Sequence, residues 1–316
     1  MKKIFIDGRE GTTGLRIETR LADRDDIELL PIPSELRKDP DTVAQFLRDA
    51  DVAFLCLPDD AAREAAAMAS DMDTIVIDAS TAHRTEPDWA YGFPELSDAH
   101  REKIRNSRRI AVPGCHATGM ISLVYPLIAR GILPPDYPVS CFSLTGYSGG
   151  GKAMIAQYEA DDRDAELASP REYALSQTHK HLKEMRAVTG LSRTPLFSPI
   201  IGDYYNGMLV SVPLYAGLLC GSPDIERVHE AFAEHYAGER LIRVLPLGEE
   251  DKSGGFLGSN NRADWDGLEI FVTGNEERIL LSARFDNLGK GASGAAIQCL
   301  NLALGCDETK GLRIEE

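Results

Sequence analysis

Lys3-Ile4-Phe5-Ile6-Asp7-Gly8-Arg9-Glu10-Gly11-Thr12-Thr13-Gly14 opens the chain with a short apolar run that leads into three glycines spaced GxxGxxG. Residues 3–7 read as a strand, Leu15, Ile17 and Leu21 recur at helical spacing across 11–23, and 27–32 (IELLPI) reads as a second strand. A glycine turn inside such a βαβ unit lets the backbone bend tightly and approach a diphosphate, whose charge the open N–H groups at the helix start stabilise. Thr12 and Thr13 add hydroxyl donors. Gly8, Gly11, Thr12, Thr13 and Gly14 are therefore candidate cofactor ligands. A plain glycine-rich turn is the alternative, and the position after the first strand favours the dinucleotide.

Working outward, helical 41–49, apolar 51–57, Ala-rich 60–70, apolar 74–79 and a short strand at 109–113 continue the alternation. Strands alternating with helices predict an α/β, Rossmann-type, doubly wound parallel sheet. Beyond Cys115 the texture changes to a helix over about 118–130 and longer strands at 139–146 and 207–219, alternating and β-branched. That pattern predicts an α+β domain with a largely antiparallel sheet. Residues 289–304 predict a small-residue helix that buries Ala295, Ile297, Leu300 and Leu304 and returns to pack on the first domain.

A site selective for NAD places Asp or Glu roughly 20 residues beyond the glycine loop, on the ribose 2′-hydroxyl. Here that region reads Pro31-Ile32-Pro33-Ser34-Glu35-Leu36-Arg37-Lys38. Ser34 can donate a hydrogen bond and Arg37 and Lys38 can neutralise a 2′-phosphate, which points to NADP. Glu35 opposes that choice, and a solvated loop is the other reading.

The chain has 316 residues and is 43% hydrophobic, enough for two cored domains. Its 34 Lys and Arg against 50 Asp and Glu leave a net charge of -16, which argues against a nucleic-acid partner. No stretch reaches the ~18 apolar residues of a membrane helix, and MKKIFIDG is too short an apolar start for a secretory signal. A cytoplasmic protein with no membrane partner is expected. The six cysteines (Cys56, Cys115, Cys141, Cys220, Cys299 and Cys306) form no CxxC pair, so neither a disulfide framework nor a zinc site is expected. Cys56, Cys220 and Cys299 read as buried small hydrophobes.

Val112-Pro113-Gly114-Cys115-His116-Ala117-Thr118-Gly119 is different, because it sets a cysteine at a strand-to-helix turn, where the helix start favours thiolate. Cys115 is the candidate nucleophile. Thr178-His179-Lys180-His181-Leu182-Lys183-Glu184 offers two imidazoles and a carboxylate. The H-x-H pair is half of a metal site, but no further Cys or His cluster completes it, so acid/base chemistry without a metal is expected.

With IDASTAHR (77–84), YGFPEL (91–96), TGYSGGGK (145–152), GMLVSVPL (207–214) and DNLGKGASGAAIQ (286–298), these motifs cover the chain nearly end to end. The chain resembles the N-acetyl-gamma-glutamyl-phosphate reductase family, of the shorter bacterial type, a relative of the aspartate-semialdehyde dehydrogenases. The resemblance implies an NADP domain of residues 1–116 with about 287–316, a catalytic and dimerisation domain of about 117–286, and a homodimer or homotetramer. It implies NADPH-dependent reduction of N-acetylglutamyl phosphate to the semialdehyde, with loss of phosphate, through a Cys115 thioester in arginine biosynthesis. His181 is the implied acid/base group, oriented by Glu184, with His179 second. Asn287 is implied at the nicotinamide carboxamide, with Gly289, Lys290 and Gly291 near the cofactor and Pro58 and Ser80 also on its side. Ser148, Gly149 and Gly150 are implied along the substrate phosphate or active-site loop, the first two toward the cofactor. Arg84 and Lys152 are candidate anion anchors, and can equally be ordinary cations. Residues 203–206 and the final tail depart from the familiar pattern.

Rival substrates are aspartyl phosphate and an aminoadipyl phosphate, the latter one methylene longer and thus separated by only ~1–3 kcal/mol. A non-catalytic NADP-binding regulator is opposed by Cys115, His181 and Glu184 together, and a cysteine hydrolase by the glycine loop.

Overall fold

A computed structural model of the chain describes residues 1–314, which divide into two compact units. The first comprises Met1–Gly114 and Ala292–Leu312; the second comprises Cys115–Gly291 with the described residues after Leu312. Cys115, His116 and residues 287–291 thus lie in the second unit, where the sequence reading had set them in the first.

The first unit runs β1 (Lys2–Asp7), α1 (Thr12–Leu21), β2 (Ile27–Leu30), α2 (Pro40–Asp49), β3 (Val52–Leu55), α3 (Asp59–Met68), β4 (Ile75–Asp78), β5 (Ala90–Tyr91), α4 (Asp98–Asn106) and β6 (Arg109–Ala111). The six strands pair in the order β2-β1-β3-β4-β6-β5, all parallel. Both faces are buried, so the strands read as unbroken apolar runs. Ile4, Ile6, Val52, Phe54 and Ile77 pack with Ile17 and Leu21 of α1 and with the C-terminal helix Gly294–Ala303. Phe5 and Ala53 point the other way, onto Val43 and Leu47 of α2. Leu15 falls off the packed stripe of α1 and is exposed, against the sequence reading.

The chain leaves β1 toward β2 on one side and reaches β3 on the other, so the strand order reverses between β1 and β3. Ligands of doubly wound sheets bind at such a point. Gly8 sits there with φ +79°, and a Cβ on it would lie 2.3 Å from the Cys56 carbonyl oxygen that follows β3. Only glycine fits.

The second unit runs α5 (Cys115–Ala129), β7 (Ser140–Gly146), α6 (Gly151–Glu159), β8 (Arg171–Glu172), α7 (Leu182–Thr189), β9 (Leu196–Gly202), β10 (Met208–Tyr215), α8 (Ile225–His235), β11 (Ile242–Val244), β12 (Leu268–Gly274) and β13 (Arg278–Phe285). Its strand order is β11-β12-β13-β10-β7-β9-β8; β11–β12 and β7–β9 pair parallel and the other neighbours antiparallel. In β10, Met208, Val210, Val212 and Leu214 are buried while Leu209, Ser211, Pro213 and Tyr215 are not. The outward side also shows Phe142, Leu196 and Leu280, all exposed.

The small-residue helix, α9 (Gly294–Ala303), is preceded by one wide turn over Gly289–Ser293. It is buried on every side rather than along one face, because Gln298 and Asn301 also find partners in Glu95 and Arg24. Two further sequence expectations need correction. The strand predicted over 207–219 stops at Tyr215 and turns through Ala216–Leu218, which leaves Cys220 exposed instead of buried. The helix predicted from 118 begins at Cys115.

Candidate active site

Cys115 is the first residue of α5, at the end of the helix where backbone N–H groups favour a thiolate. The depth of α5 is fixed by Gly119, where a Cβ would lie 2.4 Å from a Val210 methyl on β10 and 2.9 Å from the Phe285 ring on β13. Gly291 closes the other side: a Cβ there would lie 2.9 Å from the Cys115 Cβ. Gly291→Ala is therefore expected to push the thiol off its position and lower kcat by ~10²-fold, the usual cost of an ångström-scale misplacement. Steady-state assay of a variant whose melting temperature is near wild type checks it, and an unchanged kcat refutes it.

Next to Cys115, His116 is buried, with Nδ1 2.7 Å from Ser143 Oγ on β7 and Nε2 2.7 Å from the Tyr173 hydroxyl. Burial, aided by the charges of His179 and Lys180, pushes its pKa down to about 3, so the ring stays neutral. Tyr173 is pushed upward by burial and by the charge of Cys115, so the phenol keeps its proton.

His179 and His181 complete the cluster. Their ring centroids are 4.7 Å apart and lie 5.4 and 5.5 Å from that of His116, and Phe197 packs against His116 and His179. His181 immediately precedes α7, with helical backbone angles, and Glu184 is buried in the first turn of that helix. His179 lies in the turn before, where its Nδ1 accepts the His181 backbone N–H at 3.2 Å. The lead-in carries strain, since Ala174 (φ 52°) and Gln177 (φ 57°) adopt left-handed conformations that cost ~1–2 kcal/mol each. The Gln177 amide holds the segment by bonding both the N–H and the carbonyl of Phe197.

A second element is the loop after β7. Tyr147 and Ser148 donate their N–H groups to the carbonyls of Tyr204 and Tyr205, so the unfamiliar 203–206 segment is the brace of this loop. Two Arg163 bonds to Asp203 and the Tyr147–Tyr158 stack at 4.7 Å tie it down. Ser148 Oγ accepts from the Asn287 amide at 3.0 Å, and Asn287 Oδ1 accepts from Gly207 N–H at 2.9 Å. Gly149 and Gly150 are exposed at the tip, and Lys152 is exposed on the first turn of α6. Gly289 is pressed against the Trp265 carbonyl, where a Cβ would lie 2.4 Å away, and Lys290 is fully buried. Gly289 is therefore demanded by packing.

In the first unit, α1 follows Gly11, which offers no side-chain cap, and has no acid in its first turn, and the buried Thr12 hydroxyl has no partner. A Cβ on Gly14 would lie 2.6 Å from the Gly8 carbonyl, so the helix start is seated directly on the loop. Open N–H groups, an orphaned hydroxyl and a first helical turn without an acid fit the diphosphate of a dinucleotide. Ser34, Arg37 and Lys38 are exposed in the turns after β2, and Arg37 pairs with Glu10 of the glycine loop. Ser80 donates to Asp78, which also bonds His83, and Pro58 is exposed at the start of α3. Arg84, a candidate anion anchor, is not the ordinary surface cation of the other reading. It is buried, and its guanidinium donates to the Val112 and Ala79 carbonyls, bracing the ends of β6 and β4.

His116, Ser143 and Tyr173 were missed by sequence reasoning. His116 stood in the cysteine motif and could have been found. Tyr173 lies in a segment without periodicity, and Ser143 is one polar residue in an apolar strand. No group of three or more His, Cys, Asp or Glu among the described residues could hold a metal ion, and none of their helices is long and apolar enough to cross a membrane.

Residues 33–107 match the family model described as semialdehyde dehydrogenase, NAD binding domain, and residues 115–287 the one described as semialdehyde dehydrogenase, dimerisation domain. N-acetyl-gamma-glutamyl-phosphate reductase of Brucella ovis is 49% identical over 307 residues, 96% of this chain and 99% of the relative. Aspartate semialdehyde dehydrogenase II of Vibrio cholerae superposes with a TM-score of 0.73 at 18% identity, over 96% of this chain and 99% of that one. The Francisella tularensis aspartate semialdehyde dehydrogenase gives 0.71 at 13%, with the same coverage. These structural likenesses establish the fold.

Proposed function

The chain belongs to the N-acetyl-gamma-glutamyl-phosphate reductase family of semialdehyde dehydrogenases and is an oxidoreductase with a nicotinamide-binding domain, and from that premise we propose that it reduces N-acetyl-L-glutamyl 5-phosphate to the 5-semialdehyde with NADPH, in arginine biosynthesis. The observation that carries this reading is Cys115 at the start of α5, next in the chain to His116, around which two further imidazoles and a phenol gather. Six free thiols suit a reducing compartment, hence the cytoplasm.

The Cys115 thiolate attacks the acyl carbon, the bond to phosphate breaks, and a thioester forms. A reduced nicotinamide, when bound, would supply the hydride that this thioester accepts. The resulting hemithioacetal then collapses, releasing aldehyde and returning Cys115 as thiolate, while His181 exchanges the proton and Glu184 fixes its orientation. For the cofactor, in the first unit Gly8–Gly14 would hold the diphosphate and Arg37, Lys38 and Ser34 the 2′-phosphate, with Pro58 and Ser80 as further candidates; in the second unit the second amide N–H of Asn287 would serve the nicotinamide carboxamide, with Ser148, Gly149, Gly289 and Lys290 as further candidates. Gly150 and the free-standing Lys152 serve the substrate anion.

Incubation with NADP, phosphate and N-acetylglutamate semialdehyde should raise reduced-cofactor absorbance, with NADP preferred over NAD by ~10-fold or more. That ratio reflects two cations facing a phosphate dianion. Arg37→Ala with Lys38→Ala should remove the preference. Turnover only with aspartate semialdehyde refutes the substrate, and a double variant that keeps the preference refutes the cofactor assignment.

We further assign the outward face of the second sheet to self-association. Phe142, Leu196 and Tyr215 are 46%, 63% and 61% exposed, and Leu280 adds to the same face, an apolar patch that isolated proteins seldom leave in water. Sedimentation should give at least twice the 34.6 kDa subunit mass, and Leu196→Asp with Tyr215→Asp should shift it toward the monomer. A fully active wild-type monomer at micromolar concentration contradicts this.

A further inference from the structure

Within the cluster, the mechanism above leaves His116 idle, and its surroundings are too specific for a filler. It is 3% exposed, between Ser143 on β7 and Tyr173 after β8, with both ring nitrogens 2.7 Å from a hydroxyl oxygen. Phe197 and His179 pack on it edge-on at 5.2 and 5.4 Å, so an aromatic hydrocarbon would satisfy the packing alone. What only an imidazole provides there is a pair of hydrogen bonds. We infer that His116 is a positioning residue: anchored by Ser143, it holds the Tyr173 hydroxyl and turns the phenol proton toward the acyl group carried on Cys115.

The reasoning is one of donor counting. A neutral imidazole has one N–H and one acceptor nitrogen. With the proton on Nδ1, His116 donates to Ser143, and the Tyr173 O–H is spent on Nε2. With the proton on Nε2, Ser143 donates to Nδ1, His116 donates to the phenol oxygen, and the Tyr173 proton is left to point elsewhere. Only the second arrangement frees a donor, and burial keeps the ring from taking the second proton that would cost Ser143 its acceptor. The charge of Cys115 is felt at Tyr173, so the phenol lies within electrostatic reach of the reacting sulfur. A donor there would stabilise the oxyanion formed as the thioester is attacked. No covalent change occurs at His116.

This inference rests on the thioester reading, and the test separates the two. His116→Gln carries its amide to the Nε2 position and can still reach Tyr173, whereas His116→Asn reaches only the Nδ1 position. The expected kcat losses are ~10²-fold for Tyr173→Phe, by analogy with loss of an oxyanion donor, and comparable for His116→Asn and His116→Phe, with recovery in His116→Gln. KM should stay within about threefold, and the alkylation rate of Cys115 by iodoacetamide, read by peptide mapping, within about twofold. The double variant His116→Phe with Tyr173→Phe should be no slower than the worse single, because both act through one hydroxyl. Nitrogen-15 spectra of the wild-type imidazole should show the Nε2–H tautomer, lost in Tyr173→Phe. A Nδ1–H tautomer, multiplicative losses in the double variant, or equal activity of the Gln and Asn variants overturns the inference. Where His116→Phe fails to fold, the Gln and Asn pair and the spectra still decide. Wild-type protein that forms no acyl adduct at Cys115 overturns the thioester reading, and the positioning role with it.

Discussion

Cys115→Ser is expected to reduce turnover by ~10⁴-fold or more while leaving NADP affinity and melting temperature near wild type, since loss of a covalent nucleophile removes the reaction path itself. The substitution changes one atom at the head of α5 and keeps the geometry set by Gly119 and Gly291. Serine has too high a pKa to be present as alkoxide, and its ester accepts hydride poorly. The remaining cysteines are no substitute: burial and the nearby Asp78 and Asp7 carboxylates push the Cys56 thiol up to about 12, and burial raises Cys141 as well. Cys220 is exposed and will react with alkylating agents too, so labelling must be assigned by peptide. Wild-type turnover in Cys115→Ser rules out the thioester.

His181→Gln should be the next most damaging change, lowering kcat by ~10²–10⁴-fold, the range that positioned acid/base groups supply. Cys115 should still be acylated, so a stoichiometric release of phosphate in the first turnover should survive while steady-state reduction slows. His179 is set apart by its bond to the His181 backbone, which makes it a support for the start of α7. His179→Ala should therefore cost less than His181→Gln and shift melting temperature more. The reverse order of kcat losses would exchange the two assignments.

The βαβ opening was legible because both faces of the first sheet are buried. Ile4, Phe5 and Ile6 then form an unbroken run that no half-exposed strand could carry, and Gly8, Gly11 and Gly14 sit where backbone crowds backbone. The setting of Cys115 was legible because a strand followed by Pro-Gly-Cys announces a turn into a helix. Other features depend on partners far away in sequence. Arg84 reads as a free cation until Val112 and Ala79 are seen to take its donors. Tyr173 reads as any tyrosine until His116, 57 residues earlier, meets its hydroxyl. Residues 203–206 are unreadable alone, since their work is to offer two carbonyls to the loop after β7.

The helix α9 sets a schedule for biosynthesis. One face of the six-stranded sheet is covered by Ala295, Ala296, Ile297 and Leu300, residues that leave the ribosome long after Ala111, the end of β6, has emerged. The N-terminal half-domain must wait through the translation of Cys115–Gly291 with Ile4, Val52, Phe54 and Ile77 covered only in part, by Ile17 and Leu21 of α1. A closure that late gives the domain high contact order, the condition under which folding is slow and exposed sheet invites aggregation. Ribosomes stalled before α9 should hold this half open to protease, and only the nearly finished chain should close it.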